Sequence, residues 1–197
     1  MALANMGFLT QGIGWIIVYG IALYCIYQYK VQLIPVLAVG MNFAWEIVVA
    51  ILHPDIVFSI GAIMDAFIFV SVFCMPGIGT RVKIWMGILF ITVMLLTVTV
   101  GNAFWDGWQI IGCGIDVLMA ALFIMEILPE SGTPWYIRWA AVARLLGDLG
   151  AYIARWDSWV IQCFGIVAVA LDIAYCVIAF RKPRKPAKRK KLTRGAH

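Results

Sequence analysis

Long apolar runs, each about the 20 residues that a membrane crossing needs, alternate along the chain with short polar or Pro/Gly-rich breaks. The runs cover roughly 11–29, 31–52, 56–75, 83–101, 108–128, 135–154 and 158–180. The breaks are brief, as at His53-Pro54-Asp55 and at Pro76 to Arg81. Links this short predict that each helix packs antiparallel to the next, in one bundle. The pattern predicts an all-α fold: a seven-transmembrane-helix bundle over residues 1–180, followed by a basic cytoplasmic tail at 181–197. The sixth run is the most polar, because it holds Arg138, Arg144 and Asp148. Pro35 interrupts the second.

Composition agrees. Of 197 residues, 64% are hydrophobic and only 13% charged, against about 25% charged in a soluble domain, and mean hydropathy is +0.96. The first ten residues carry no Lys or Arg, so the first apolar run is expected to stay as a helix rather than leave as a secretory signal. The net charge of +5 comes from the tail, where nine of the fifteen Lys and Arg residues fall within positions 181–197. Lys30, Arg81, Lys83, Arg138 and the tail share one side of a seven-span arrangement, and Arg155 is the only cation in the loops of the other. The positive-inside rule therefore predicts an external N-terminus and a cytoplasmic C-terminus. The tail reads as an anchor for anionic lipid headgroups, each charge contributing about 1 kcal/mol near the surface, and not as a nucleic-acid site.

Cys25, Cys74, Cys113, Cys163 and Cys176 all lie in apolar runs without a CxxC pair, and are expected to be free thiols. His53 and His197 form no cluster with metal-ligand spacing, so no bound metal or other cofactor is expected. Trp108, Trp135 and Trp159 stand at run ends and read as an interfacial aromatic belt.

The informative residues are the polar ones inside the runs. Glu46 is costly at membrane depth, by about 2.5–3.5 kcal/mol for a charged carboxylate, so such a group usually faces the protein interior and marks function. Asn42 precedes it by four residues and shares its helical stripe, with Trp45 alongside. Further acids occur at Asp65, Asp116 and Asp172, and Arg144 is the one intramembrane cation. Arg144 and Asp148, spaced i,i+4, are expected to neutralise each other. Four acids cannot all pair with one cation, so some are expected to keep their protons. A rise of about 1.5 Å per residue puts Asn42, Asp65 and Asp116 near mid-membrane, Glu46 toward the outside and Asp172 toward the inside. That column suits an elongated lipophilic guest or an ion path. Gly61 and Gly112 precede Asp65 and Asp116 by one turn and leave room for close helix packing or a ligand.

Asn42-Phe43-Ala44-Trp45-Glu46, together with Leu171-Asp172-Ile173-Ala174-Tyr175 in a seventh span, resembles the small integral-membrane terpene cyclases of fungal meroterpenoid and indole-diterpene pathways and their bacterial relatives. The resemblance covers the seven-span plan and most of the chain, and the short length suggests the bacterial branch, hence a bacterial inner or plasma membrane. It implies that Glu46 and Asp172 start cyclisation by protonating an alkene or epoxide of a prenylated substrate. Such a step needs an acid held protonated in an apolar pocket. It also needs π faces for the cation, here Trp45, Trp85, Trp105 or Tyr175, and exclusion of water. Asn42, Asp65 and Asp116 are candidate hydrogen-bonding partners of the acids or the substrate. The chain has no DDxxD run for Mg²⁺ and diphosphate and no DxDD motif.

A small proton-coupled carrier also uses intramembrane acids, but predicts internal repeats with matching broken helices, and no partner to Pro35 occurs in the fifth or sixth run. A retinal photoreceptor needs a Lys in the seventh run, which has none. A non-catalytic lipid-binding or assembly protein would use the acids as interhelical fasteners.

Overall fold

A computed structural model of the chain describes residues 2–104, 107–128, 133–155 and 158–181. The described residues form seven helices and no strands: α1 (Ala2–Tyr29), α2 (Val36–Leu52), α3 (Ile56–Cys74), α4 (Thr80–Ala103), α5 (Gly107–Ile127), α6 (Trp135–Ala154) and α7 (Trp159–Ala179). Five of them, α1, α3, α4, α5 and α7, are long and apolar enough to cross a membrane. Of the remaining two, α2 has 17 residues, and α6 carries Arg138, Arg144 and Asp148.

Local chemistry sets the ends. α1 stops at Lys30, whose φ of 56° lies in the left-handed region, while the Val31 amide donates back to the Cys25 carbonyl over 3.4 Å. The predicted second span is shortened because Pro35, at the N-cap of α2, fixes its own φ and has no amide hydrogen with which to continue a helix backward. The end of the non-helical link is covered by the protein, with Leu33 and Ile34 buried. α3 begins where the Asp55 carboxylate accepts a hydrogen bond from the Val57 amide at 2.7 Å.

The main helix contacts follow a ring, α1–α6–α7–α5–α4–α2–α3 and back to α1, with α2 also meeting α5. Chain order does not dictate it. α2–α3, α4–α5 and α6–α7 pack as their short links require, but α1 packs chiefly on α6 and α3 instead of on α2, and α4 on α2 and α5 instead of on α3. Small residues explain the α1–α6 pairing. A Cβ placed on Gly14 would lie 2.5 Å from the Gly147 nitrogen, and one on Gly150 would lie 2.5 Å from the Gln11 nitrogen. The two backbones touch, as small-residue membrane interfaces allow. Large apolar side chains such as Ile63, Phe67, Leu95, Ile166 and Val177 face outward.

Candidate functional site

α2 is the most enclosed helix, with ten of its seventeen residues buried. That shielding lets it carry Asn42 and Glu46 without exposing either to lipid. The Tyr19 hydroxyl on α1 donates to Glu46 Oε1. The Asn42 amide nitrogen, one turn below Glu46, donates to the Tyr19 oxygen and to Asp65 Oδ2, both at 2.6 Å. Four polar groups from three helices thus form one buried chain of hydrogen bonds, without a cation in it. Glu46 Oε2 is buried and has no hydrogen-bond partner.

Two glycines make the space. A Cβ on Gly61 would sit 3.0 Å from Glu46 Oε2 and 3.1 Å from Oε1, so the missing side chain is the seat of the carboxyl. A Cβ on Gly112 would meet the Trp45 indole at 2.6 Å. Seated there, Trp45 donates from Nε1 to the Trp108 carbonyl at 2.7 Å.

Glu46 borders a cavity of about 780 Å³ enclosed by the N-terminal halves of α1, α3 and α5 and the C-terminal half of α2, within the range of about 300–1,000 Å³ usual for small-molecule sites. Aromatic rings supply much of its wall. Trp45 and Trp108 stack with centroids 6.3 Å apart, and Phe58 stands edge-on to both. Trp15 of α1 adds a further face. At the rim, near the α2–α3 link, His53 stacks on Trp108 at 4.9 Å.

A second polar cluster lies beside this cavity. Arg144 is fully buried on α6. Its Nε donates to Asp172 Oδ1 at 2.8 Å and its Nη2 to Asp148 Oδ2 at 3.0 Å. The same Nη2 donates to the backbone carbonyl of Asp116 at 2.8 Å. Trp15 and Phe123 flank the guanidinium at 5.0 and 5.3 Å. Asp116 also borders the main cavity.

The structure brings Glu46, Asn42, Trp45 and Asp116 together on the cavity, with Asp65 behind them holding Asn42. Asp148 pairs with Arg144 as its spacing predicts. Three expectations are corrected. Asp172 does not reach the cavity: it is held away from it as an ion-pair partner of Arg144 on α6. Trp85 is 54% exposed on the outer face of α4 and takes no part in the cavity wall. Tyr175 is buried against Phe123, with centroids 5.2 Å apart, and does not line the cavity either. Trp105, another candidate, lies outside the described residues. Tyr19, Trp15 and Trp108 went unrecognised. Trp15 and Tyr19 share one stripe of α1 at i,i+4, the only signal they carried, and Trp108 was assigned to the interfacial belt by its place at a run end.

No protein-family model, curated protein or solved structure matches this chain.

Proposed function

We propose that the protein is a membrane-embedded terpene cyclase that protonates an alkene or epoxide of a prenylated substrate through Glu46 and guides the resulting cation to ring closure. The observation that carries the reading is a carboxyl oxygen, Glu46 Oε2, left without a partner at an aromatic-walled cavity. The other carboxyl oxygen accepts from Tyr19, and that bond remains to stabilise the carboxylate left behind once the proton has gone. Asn42 fixes the Tyr19 oxygen and Asp65 fixes Asn42, so the donor's position is set before any guest arrives. The cation formed meets the faces of Trp45, Trp108 and Trp15, which attract positive charge and do not trap it covalently.

The chain sits in this reading as a multi-pass protein of a bacterial inner or plasma membrane, N-terminus outside, its basic tail on anionic lipid headgroups. Replacing Glu46 by Gln removes the proton while keeping the shape. The expected result is loss of cyclised product, measured by product analysis after incubating membranes with prenylated or epoxyprenylated aromatic substrates. Undiminished cyclisation by E46Q ends the assignment. A proton-coupled carrier of a lipophilic or small solute is the second reading. It draws on Asp116, which borders both the main cavity and a smaller void, and counterflow in proteoliposomes would favour it.

A further inference from the structure

Cyclisation ends when the last cation gives up a proton, and the group that receives it cannot be assumed to be the group that supplied the first one. Asp116 also borders the Glu46 cavity, and its backbone carbonyl accepts from Arg144 at 2.8 Å. On its far side lies a void of about 20 Å³, bordered by Asp116, Asp148, Cys113 and Tyr152. That is enough for one water, which needs roughly 10–15 Å³ and two or more polar partners. Asp148 is 4% exposed, and its Oδ1 is buried without a hydrogen-bond partner.

The charges around Arg144 matter equally. One guanidinium faces three carboxyl groups, those of Asp116, Asp148 and Asp172. With Arg155 standing over Trp108 as a second cation on the Asp116 side, three ionised carboxylates would still leave one net negative charge in a low-dielectric interior, so one proton shared among them is the economical state. The set is then neutral, and it keeps one carboxylate, Asp116, that a carbocation, a far stronger acid, can protonate.

We propose that Asp116 and Asp148, bridged by a single water in this void, form the proton-accepting wall of the cavity. The assignment rests on the cyclase reading for its chemistry. The shared proton resides on Asp148, next to the void, which leaves Asp116 a carboxylate on the cavity side. In the first step the Glu46 O–H bond breaks and a C–H bond forms on the alkene, or an O–H bond on the epoxide. In the last, a C–H bond adjacent to the cationic carbon breaks, its electrons become the new C=C bond, and the proton goes to Asp116. After product leaves, Asp116 releases its proton to water in the cavity and Glu46 recovers one from the same water, so both groups return to their starting state while the void water keeps Asp116 and Asp148 in hydrogen-bond contact. The substrate is isomerised, with no proton gained or lost overall. The Asp116 carboxylate also draws the migrating cation away from the Glu46 carboxylate it has just left.

The test is infrared spectroscopy of the full-length protein in lipid nanodiscs, in H₂O and D₂O, comparing wild type with D116N, D148N and E46Q. The expected result is that D148N removes one protonated-carboxyl band, that D116N shifts that same band, and that E46Q removes a different one. A D116N spectrum with the Asp148 band unmoved overturns the proposal, as does an Asp148 band that is absent in wild type. D116N keeps the backbone carbonyl that Arg144 binds, so the coupling is read even where D148N fails to fold. These readouts need no turnover, so a wild-type protein that cyclises nothing removes the cyclase reading while the spectra still decide whether the relay exists. In a preparation that does cyclise, D116N is expected to divert product toward water-captured alcohols, whereas E46Q gives none.

Discussion

At Glu46 the decisive neighbour is an absent side chain. Gly61 leaves the carboxyl its seat, so Gly61→Ala forces a shift of a few tenths of an ångström on a group already tied to Tyr19. Cyclisation is expected to fall, by less than the roughly 10²-fold that a full ångström of misplacement costs, while the unfolding temperature changes little; a wild-type rate in G61A would show that the carboxyl does not need this position. Asp172 calls for the opposite expectation. Its loss as an ion removes one of the two carboxyl partners of a buried guanidinium, and breaking such a pair costs about 3–5 kcal/mol. Asp172→Asn is expected near the lower end, because Asp148 remains, and to keep cyclising in whatever fraction folds. Lost product at unchanged stability would restore Asp172 as an acid. The sequence marked both residues as intramembrane acids but not their difference, because what separates them is a cation 28 residues away in the chain.

Among the elements, α1 and α6 touch backbone to backbone at Gly14, Gly147 and Gly150. Gly14→Ala puts a methyl group 2.5 Å from a backbone nitrogen that cannot turn aside. A loss of about 1–3 kcal/mol or more is expected from such overpacking, read as a lower unfolding midpoint in detergent. Gly20→Ala on the same helix, with nothing within 4 Å, is the silent control. Helix existence was legible throughout, since apolar length and Pro/Gly punctuation suffice for it: α6 runs over the expected 135–154, and α5 and α7 are displaced by a residue at their ends. Partner choice was not. Glycines at 14, 147 and 150 say that some close approach occurs, but only the assembled fold shows that α1 meets α6 across more than a hundred residues of chain.

For the whole molecule, the ring places four half-helices around one cavity and lets α2, the shortest helix, stand nearly surrounded. The stripe of Asn42, Trp45 and Glu46 was readable because it is local to one helix. The cavity wall was not, because Trp15, Phe58 and Trp108 come from three other helices and no spacing links them. The buried Arg144 has a consequence for how the chain enters a bilayer. A charged residue at a helix centre costs about 2.5–3.5 kcal/mol on insertion, and α6 brings Arg144 and Asp148 without qualifying by length and apolarity as a crossing of its own. One of its two side-chain acid partners, Asp172, is synthesised later, on α7. The sixth helix is therefore expected to slip back out of the translocon when the chain is cut before Trp159 and to stay once α7 follows it as a hairpin, with a glycosylation acceptor site placed directly after Arg155 reporting whether the end of α6 has crossed.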